Sequence, residues 1–196
     1  MKIALFFGSF NPIHIGHLII AQQLLNKTDI DKIWFVISPQ NPLKDKTTLL
    51  SQHERLHLVH LAIEDNPKLK ASDVEFHLPS PNYTIDTLSF LSQKYPKHEF
   101  SLILGADNLR SLHKWKNFEK IIANYKIYIY RRPGYAHNKN KLKNNCNILY
   151  LDVPLLDISA TMIRQMISDQ KSIQYLVHSN ITELVQNNRF YKNKKS

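Results

Sequence analysis

A strand-length apolar run, Ile3 to Phe7, passes directly into Gly8-Ser9-Phe10-Asn11-Pro12-Ile13-His14-Ile15-Gly16-His17. Glycine, asparagine and proline close a turn there. Beyond Gly16, Leu18, Ala21, Leu24 and Leu25 recur at helical spacing, which predicts a helix from Gly16 to Asn26. A buried strand, a tight loop and a helix start carrying two imidazoles three residues apart make an arrangement suited to an anion. The first-turn N–H groups and the positive end of the helix dipole attract phosphate, and His14 and His17 add donors that backbone alone cannot supply. A lone histidine at a helix start is ordinarily satisfied by backbone, whereas the pair around Gly16 favours phosphate. A metal fits less well, because no third ligand lies nearby and H-E-x-x-H is missing. Neither G-x-G-x-x-G nor G-x-x-x-x-G-K-[ST] occurs in the loop, which disfavours a dinucleotide redox fold and excludes a P-loop.

The rest of the chain repeats the same alternation. Ile33–Ser38, Phe100–Leu104, Ile127–Tyr130 and Ile148–Leu151 read as buried strands, and Asp73–His77 as a modest alternating one. Gln52–Glu64 is helical, as is Tyr83–Lys94 with Thr84 as its N-cap. A helical region starts at Asp107 and runs through Leu109, Leu112, Trp115 and Phe118. The last third is helical over Ser159–Ser168 and Ile181–Asn187. Such a pattern predicts an α/β fold: a Rossmann-like, doubly wound, mostly parallel sheet with helices on both faces and a small helical C-terminal part. Ligands then bind beyond the carboxyl ends of the strands, which points to the loops after Phe7, Leu104 and Leu151. Pro39–Leu50 and His137–Asn147 read as mobile segments.

A chain of 196 residues fits one domain, 1–196, with residues 155–190 as its helical C-terminal part. No stretch approaches the roughly 18 apolar residues of a membrane span, and the N-terminal apolar run is too short for a signal-peptide core. With one cysteine, Cys146, there is neither an internal disulfide nor a zinc motif. These points lead to a cytoplasmic expectation with no membrane partner. The formal charge of +10 raises nucleic acid as a rival reading. Much of it lies in the lysine-rich stretch 137–147 and the tail 191–195, which lack the aromatic interleaving or arginine clustering of a nucleic-acid face.

The second constellation is Ile158-Ser159-Ala160-Thr161-Met162-Ile163-Arg164. Ser159 or Thr161 can cap the following helix. Arg164 then falls near its first turn, against the dipole's positive end, a placement that an external anion would compensate. The planar guanidinium also suits bidentate phosphate binding. The alternative is an exposed arginine at a frayed helix end. At Gly105 and Asp107 a glycine permits close backbone approach and a carboxylate can bond ribose hydroxyls, although a simple helix cap would use the same residues.

Together these segments resemble the nucleotidyltransferase superfamily that shares the His-Ile-Gly-His sequence with class I aminoacyl-tRNA synthetases. More narrowly, the chain is similar along nearly its whole length to bacterial nicotinate-nucleotide adenylyltransferases. The landmarks are Gly8–Leu18, Pro42-Leu43-Lys44, Pro81-Asn82-Tyr83-Thr84-Ile85-Asp86-Thr87-Leu88, Gly105-Ala106-Asp107 with Trp115, Arg131-Arg132-Pro133-Gly134, and Ile158–Arg164. Asn11 departs from the Asp of many bacterial members. Some nicotinamide-nucleotide adenylyltransferases share Gly-Ser-Phe-Asn-Pro, and the His-Ile-Gly-His loop alone fits pantetheine-phosphate adenylyltransferases or cytidylyltransferases equally well, so an amide acceptor or another adenylyltransferase of the superfamily stands as the alternative.

The resemblance implies transfer of AMP from ATP to nicotinate mononucleotide, giving deamido-NAD and pyrophosphate, with Mg²⁺ carried on ATP and no metal site in the chain. It implies that Gly8, Ser9, Phe10, His14 and His17 bind ATP, with His17 nearest the reacting phosphate. Ser159, Thr161 and Arg164 would hold the β- and γ-phosphates, and Gly105 and Asp107 the ribose. His14, His17 and Arg164 are the implied catalytic residues. On the acceptor side, Lys44 would close over the phosphates and Trp115 would stack on the pyridine. Backbone at Tyr83, Thr84 and Ile85 would meet the nicotinate carboxylate.

Overall fold

In a computed structural model of the chain, the described residues are 1–39, 49–132 and 145–192. Lys44 and most of the two segments read as mobile lie outside them. Six strands form one parallel sheet in the order β3-β2-β1-β4-β5-β6. They are β1 (Lys2–Gly8), β2 (Lys32–Ile37), β3 (Leu69–Ser72), β4 (Glu99–Gly105), β5 (Lys126–Tyr130) and β6 (Ile148–Leu151). The sheet is thus parallel throughout the described residues.

Strand side chains alternate between faces, so each strand feeds two cores. On β1, Ala4 and Phe6 face one core with Phe35, Ile37 and Ile103, while Ile3 and Leu5 face the other with Val36, Leu102 and Leu104. Helices α1 (Ile15–Lys27), α2 (Gln52–Ile63), α6 (Ala160–Ser168) and α7 (Ser179–Asn187) cover the first core. Helices α3 (Thr84–Lys94), α4 (Ala106–Ser111) and α5 (Phe118–Asn124) cover the second. Winding reverses between β1 and β4, which are hydrogen-bonded neighbours although two strands separate them in the sequence. The loops after β1 and β4 therefore open side by side at the carboxyl edge of the sheet, where ligands of such sheets bind.

Three local expectations are corrected. The strand near Asp73–His77 lies earlier, at Leu69–Ser72, and Val74–His77 is a 3₁₀ turn. Pairing decides this, because Ile33–Val36 of β2 meet Leu69–Ser72 and leave Val74 to drop into the second core. Thr84 is not the N-cap of α3; Tyr83 is, and no side chain caps that terminus. The region from Asp107 to Phe118 is not one helix. It breaks after Ser111 into a 3₁₀ turn at Leu112–Lys114, and α5 begins after Asn117, whose φ of 51° is left-handed.

Helix α2 is opened by a capping box in which Ser51 Oγ accepts from the Glu54 N–H and Glu54 Oε2 accepts from the Ser51 N–H. This places Arg55 at the carboxyl edge of the sheet, fully buried. Its guanidinium donates to four carbonyls, those of Ser9, Ser38, Pro39 and Leu50, at 2.7–3.0 Å. Replacing Arg55 with Met strands those carbonyls, and hydrogen bonds to charged donors contribute about 1.5–3 kcal/mol each, non-additively. Urea unfolding of Arg55→Met is expected to show a loss of about 3–5 kcal/mol. Lys should recover only part of it, because an ammonium lacks the planar fork.

Candidate active site at the switch point of the sheet

The loop from Gly8 to His14 closes over the carboxyl end of β1. Phe10 adopts a left-handed φ of 45° and turns its ring into the core, against Phe6, Phe35 and His17. Bulky residues seldom adopt that conformation, and it persists here because the aromatic packing holds it. Only the Phe10 backbone is left to the loop surface. Ser9 gives its carbonyl to Arg55, and Gly8 accepts from the Ser38 N–H at 2.9 Å.

His14 is the N-cap of α1, and its N–H donates to His17 Nδ1 at 3.3 Å. A ring nitrogen that accepts carries no proton, so the His17 proton sits on Nε2. The two imidazoles lie 3.7 Å apart, centroid to centroid, with a 30° tilt. Gly16 makes this possible, because a Cβ there would stand 3.0 Å from His14 Nδ1. Any larger residue between the two histidines would press the His14 ring aside by a few tenths of an ångström. His14 is buried, and its Nδ1 finds no hydrogen-bond partner among the described residues. Burial, with a smaller push from the positive charge of Arg132, lowers its imidazole to about 4. His14 is therefore neutral at pH 7.

Asn11 is held from three directions. Its Oδ1 accepts from the Leu50 N–H at 3.2 Å and from the Tyr191 hydroxyl at 2.8 Å, and its carbonyl accepts from Arg164 at 2.8 Å. Both of these side-chain contacts are made by the amide oxygen, and they tie the residue at this position to anchoring of the loop. Burial raises the Tyr191 hydroxyl well above the usual phenol range, so it stays a donor.

Arg164 is the fifth residue of α6, one turn further in than a strict first-turn position. It binds Asn11 O and Thr161 Oγ1, so the compensation expected of an external anion is partly met by a backbone carbonyl. Two of its five donors are used in this way. Ser159 caps α6, its Oγ accepting from the Met162 N–H. The segment Ile158–Arg164 is thereby fastened to the loop that carries the histidines.

Across the switch point, Gly105 caps α4 and Asp107 follows in its first turn. A Cβ on Gly105 would meet Asp107 Oδ1 at 2.3 Å, so only glycine lets the carboxylate fold back over the strand end. Asp107 Oδ2 pairs with Arg132 at 2.8 Å, while Oδ1 is buried without a donor among the described residues. Asp107, which follows β4, thus pairs with Arg132, whose charge also acts on His14 in the loop after β1.

On the far side of the sheet's carboxyl edge, a cleft of about 260 Å³ borders the start of α3, lined by Pro79, Pro81, Asn82, Tyr83, Asp86 and Lys116. Lys116 pairs with Asp86 at 2.9 Å and lies 4.6 Å from the Tyr83 ring centroid. Ile85 is buried beneath, and Trp115 is partly buried against the same core at the break before α5. A larger cleft of about 530 Å³ lies at the amino edge of the sheet, away from these residues, and its Lys2 and Asp29 pair with each other. Among the described residues no cluster of three His, Cys, Asp or Glu side chains gathers to hold a metal. No helix there is long and apolar enough to cross a membrane.

Sequence reasoning missed Arg55, Tyr191 and Arg132 as parts of the site. Arg132 belongs to the Arg131-Arg132-Pro133-Gly134 segment and so had a signal. Arg55 and Tyr191 had none, because they reach the loop from 46 and 180 residues away, respectively.

The cytidylyltransferase-like family matches residues 5–166 of the chain. The probable nicotinate-nucleotide adenylyltransferase of Flavobacterium psychrophilum is 52% identical, over 98% of this chain and all of that protein. The one from Cytophaga hutchinsonii is 49% identical, again over 98% of this chain and its own full length. Among solved structures, Plasmodium falciparum nicotinic acid mononucleotide adenylyltransferase complexed with NaAD superposes with a TM-score of 0.83 at 22% identity, covering 97% of each chain. At that identity the likeness speaks for the fold.

The state of His14 sets a pH dependence. In the unfolded chain an ordinary histidine gains its proton near pH 6.5, whereas in the folded one His14 holds off to about pH 4. The folded state then binds fewer protons across that window, so stability is full above it and falls as pH drops through it, by up to about 3 kcal/mol. Thermal unfolding of His14→Gln should show a flatter profile than the unmodified chain between pH 6.5 and 4.

Proposed function

The chain belongs to the cytidylyltransferase-like family, and on that premise we propose that it transfers the AMP moiety of ATP to nicotinate mononucleotide. The products are nicotinate adenine dinucleotide and pyrophosphate, which makes the chain a nicotinate-nucleotide adenylyltransferase of NAD biosynthesis. Curated relatives near half identity over the full length carry that name. The observation that carries the reading is the stacked His14–His17 pair at the switch point, fastened through Asn11 to Arg164 of the second segment.

An oxygen of the mononucleotide phosphate attacks the α-phosphorus of ATP, and the bond to the bridging oxygen breaks, so that its electron pair leaves with pyrophosphate. A phosphate monoester with a second pKa near ~6 is largely dianionic at neutral pH and needs no general base. Catalysis then rests on in-line alignment and on stabilising charge at the α-phosphate and leaving group. His17 offers its Nε2–H to the α-phosphate, and His14, neutral and buried, donates beside it without adding a charge that water would have to leave. Gly8, Ser9 and Phe10 contribute loop backbone. Arg164, Ser159 and Thr161 hold the β- and γ-phosphates, Arg164 through the donors that Asn11 and Thr161 do not use.

Asp107 Oδ1, buried without a donor among the described residues, takes a ribose hydroxyl, and Gly105 allows the close approach. The uncapped first turn of α3 at Tyr83, Thr84 and Ile85 receives the pyridine carboxylate, since free N–H groups and the dipole there favour a negative charge. Trp115 stacks on the ring, and Lys44 closes over the phosphates. Enzymes of this kind use ATP with a divalent metal; Mg²⁺ enters as part of the nucleotide, bound by phosphate oxygens. Residues 1–196 act as one nucleotidyltransferase domain with a helical C-terminal part, working in the cytoplasm on small anions and not on membrane or nucleic acid.

Pyrophosphate release measured with nicotinate and nicotinamide mononucleotides should favour the acid; equal or faster turnover of the amide overturns the acceptor assignment. Strong, salt-dependent binding to nonspecific RNA without ATP-dependent release would overturn the enzyme reading. His17→Ala should lower kcat by at least about 100-fold, the usual cost of losing a transition-state donor.

A further inference from the structure

Glu75 is a buried carboxyl that the mechanism above leaves unused. It is 4% exposed and sits in the 3₁₀ turn Val74–His77, between the carboxyl end of β2 and the start of α3. No lysine, arginine or histidine among the described residues pairs with it, and its partners are hydroxyls. Thr87, itself fully buried, donates to Glu75 Oε1 at 3.0 Å, and the Ser38 hydroxyl acts on the same carboxyl in favour of its charged form. The Glu75 carbonyl accepts from Asn82 Nδ2 at 3.0 Å, which folds the chain before α3 back onto the turn.

These bonds make a continuous link between the two halves of the site. Ser38 donates its N–H to Gly8 at the base of the histidine loop and gives its carbonyl to Arg55. Thr87 lies in the first turn of α3 and donates its N–H to Tyr83 O at 3.2 Å. An unpaired buried carboxyl is costly to keep, and an apolar residue would fill the space at less cost. Its retention is explained by what it joins.

We propose that Glu75 is a positioning residue for the acceptor, tying the first turn of α3 through Thr87 to the end of β2 through Ser38. It thereby holds the first-turn N–H groups at a set distance from the histidine loop, where the acceptor's carboxylate and phosphate must be gripped together. Burial pushes the Glu75 carboxyl above its ordinary range, with the two hydroxyls pulling the other way. The inference rests on the acceptor reading above.

The test is a steady-state comparison of Glu75→Ala, Thr87→Val and Glu75→Gln with the unmodified chain, varying ATP and nicotinate mononucleotide separately. Glu75→Ala and Thr87→Val should raise KM for the mononucleotide at least about tenfold, with KM for ATP and kcat within about threefold, since losing a buried hydrogen bond misplaces only the acceptor. Glu75→Gln retains an acceptor for Thr87 and should rescue KM to within about threefold. If KM for both substrates and kcat move together, or if KM for the mononucleotide stays put, the positioning role is overturned. Should Glu75→Ala fail to fold, Thr87→Val and Glu75→Gln still decide. Absence of turnover of nicotinate mononucleotide by the unmodified chain refutes the acceptor reading instead, and the same split is then read on nicotinamide mononucleotide.

Discussion

One guanidinium organises the carboxyl edge of this sheet. Arg55 is buried, has no carboxylate partner among the described residues, and places its donors on the carbonyls of Ser9, Ser38, Pro39 and Leu50. Those carbonyls belong to the histidine loop, the end of β2, and the chain on either side of residues 40–48. A charge this deep is tolerable only when its donors are satisfied, and carbonyl oxygens satisfy them without introducing a competing anion. Its negative partners are thus dipoles, which leaves the neighbourhood electropositive. Burial lowers the pKa of the guanidinium, though an arginine remains charged.

The opposite flank of the loop is closed by α6 and by the turn that follows α7. Tyr191 and Leu50 converge on the Asn11 side chain, and Arg164 on its backbone. With Arg55 behind and Arg164 in front, the loop has little freedom to adjust when a nucleotide arrives. Rigid donors aimed in advance contribute most where charge develops in the transition state. That suits a reaction in which the substrate brings its own nucleophile and the protein has only to align and stabilise. The unused polar atoms agree: His14 Nδ1 and Asp107 Oδ1 are buried and unpartnered among the described residues, on either side of the point where the winding reverses.

Much of this was legible in the amino acids. Strand cores such as Ile3–Phe7 and Phe100–Leu104 are dense in apolar residues because both sheet faces are covered, and their limits differ from observed ones by a residue or so. Weak signals failed where pairing partners decide. Leu69–Ser72 is short and half polar, so Asp73–His77 looked equally extended until β2 selected its partner. Thr84 has the chemistry of a cap, but the helix starts one residue before its hydroxyl could serve. Apolar residues continue at helical spacing past Ser111, yet Asn117 turns left-handed and restarts the helix.

By itself the sequence determined an alternating α/β chain with a phosphate-binding loop and a second basic segment, because local periodicity and motif chemistry are carried by neighbouring residues. Tertiary structure alone decided how these parts become one site. It put β1 beside β4, bound Arg164 to a carbonyl 153 residues away, and showed Gly16 to be the space into which the His14 ring folds. It also brought in Arg55, Glu75 and Tyr191, which belong to no local motif. The physical reason is that a buried polar group must find partners wherever the fold supplies them, and sequence distance says nothing about where that will be.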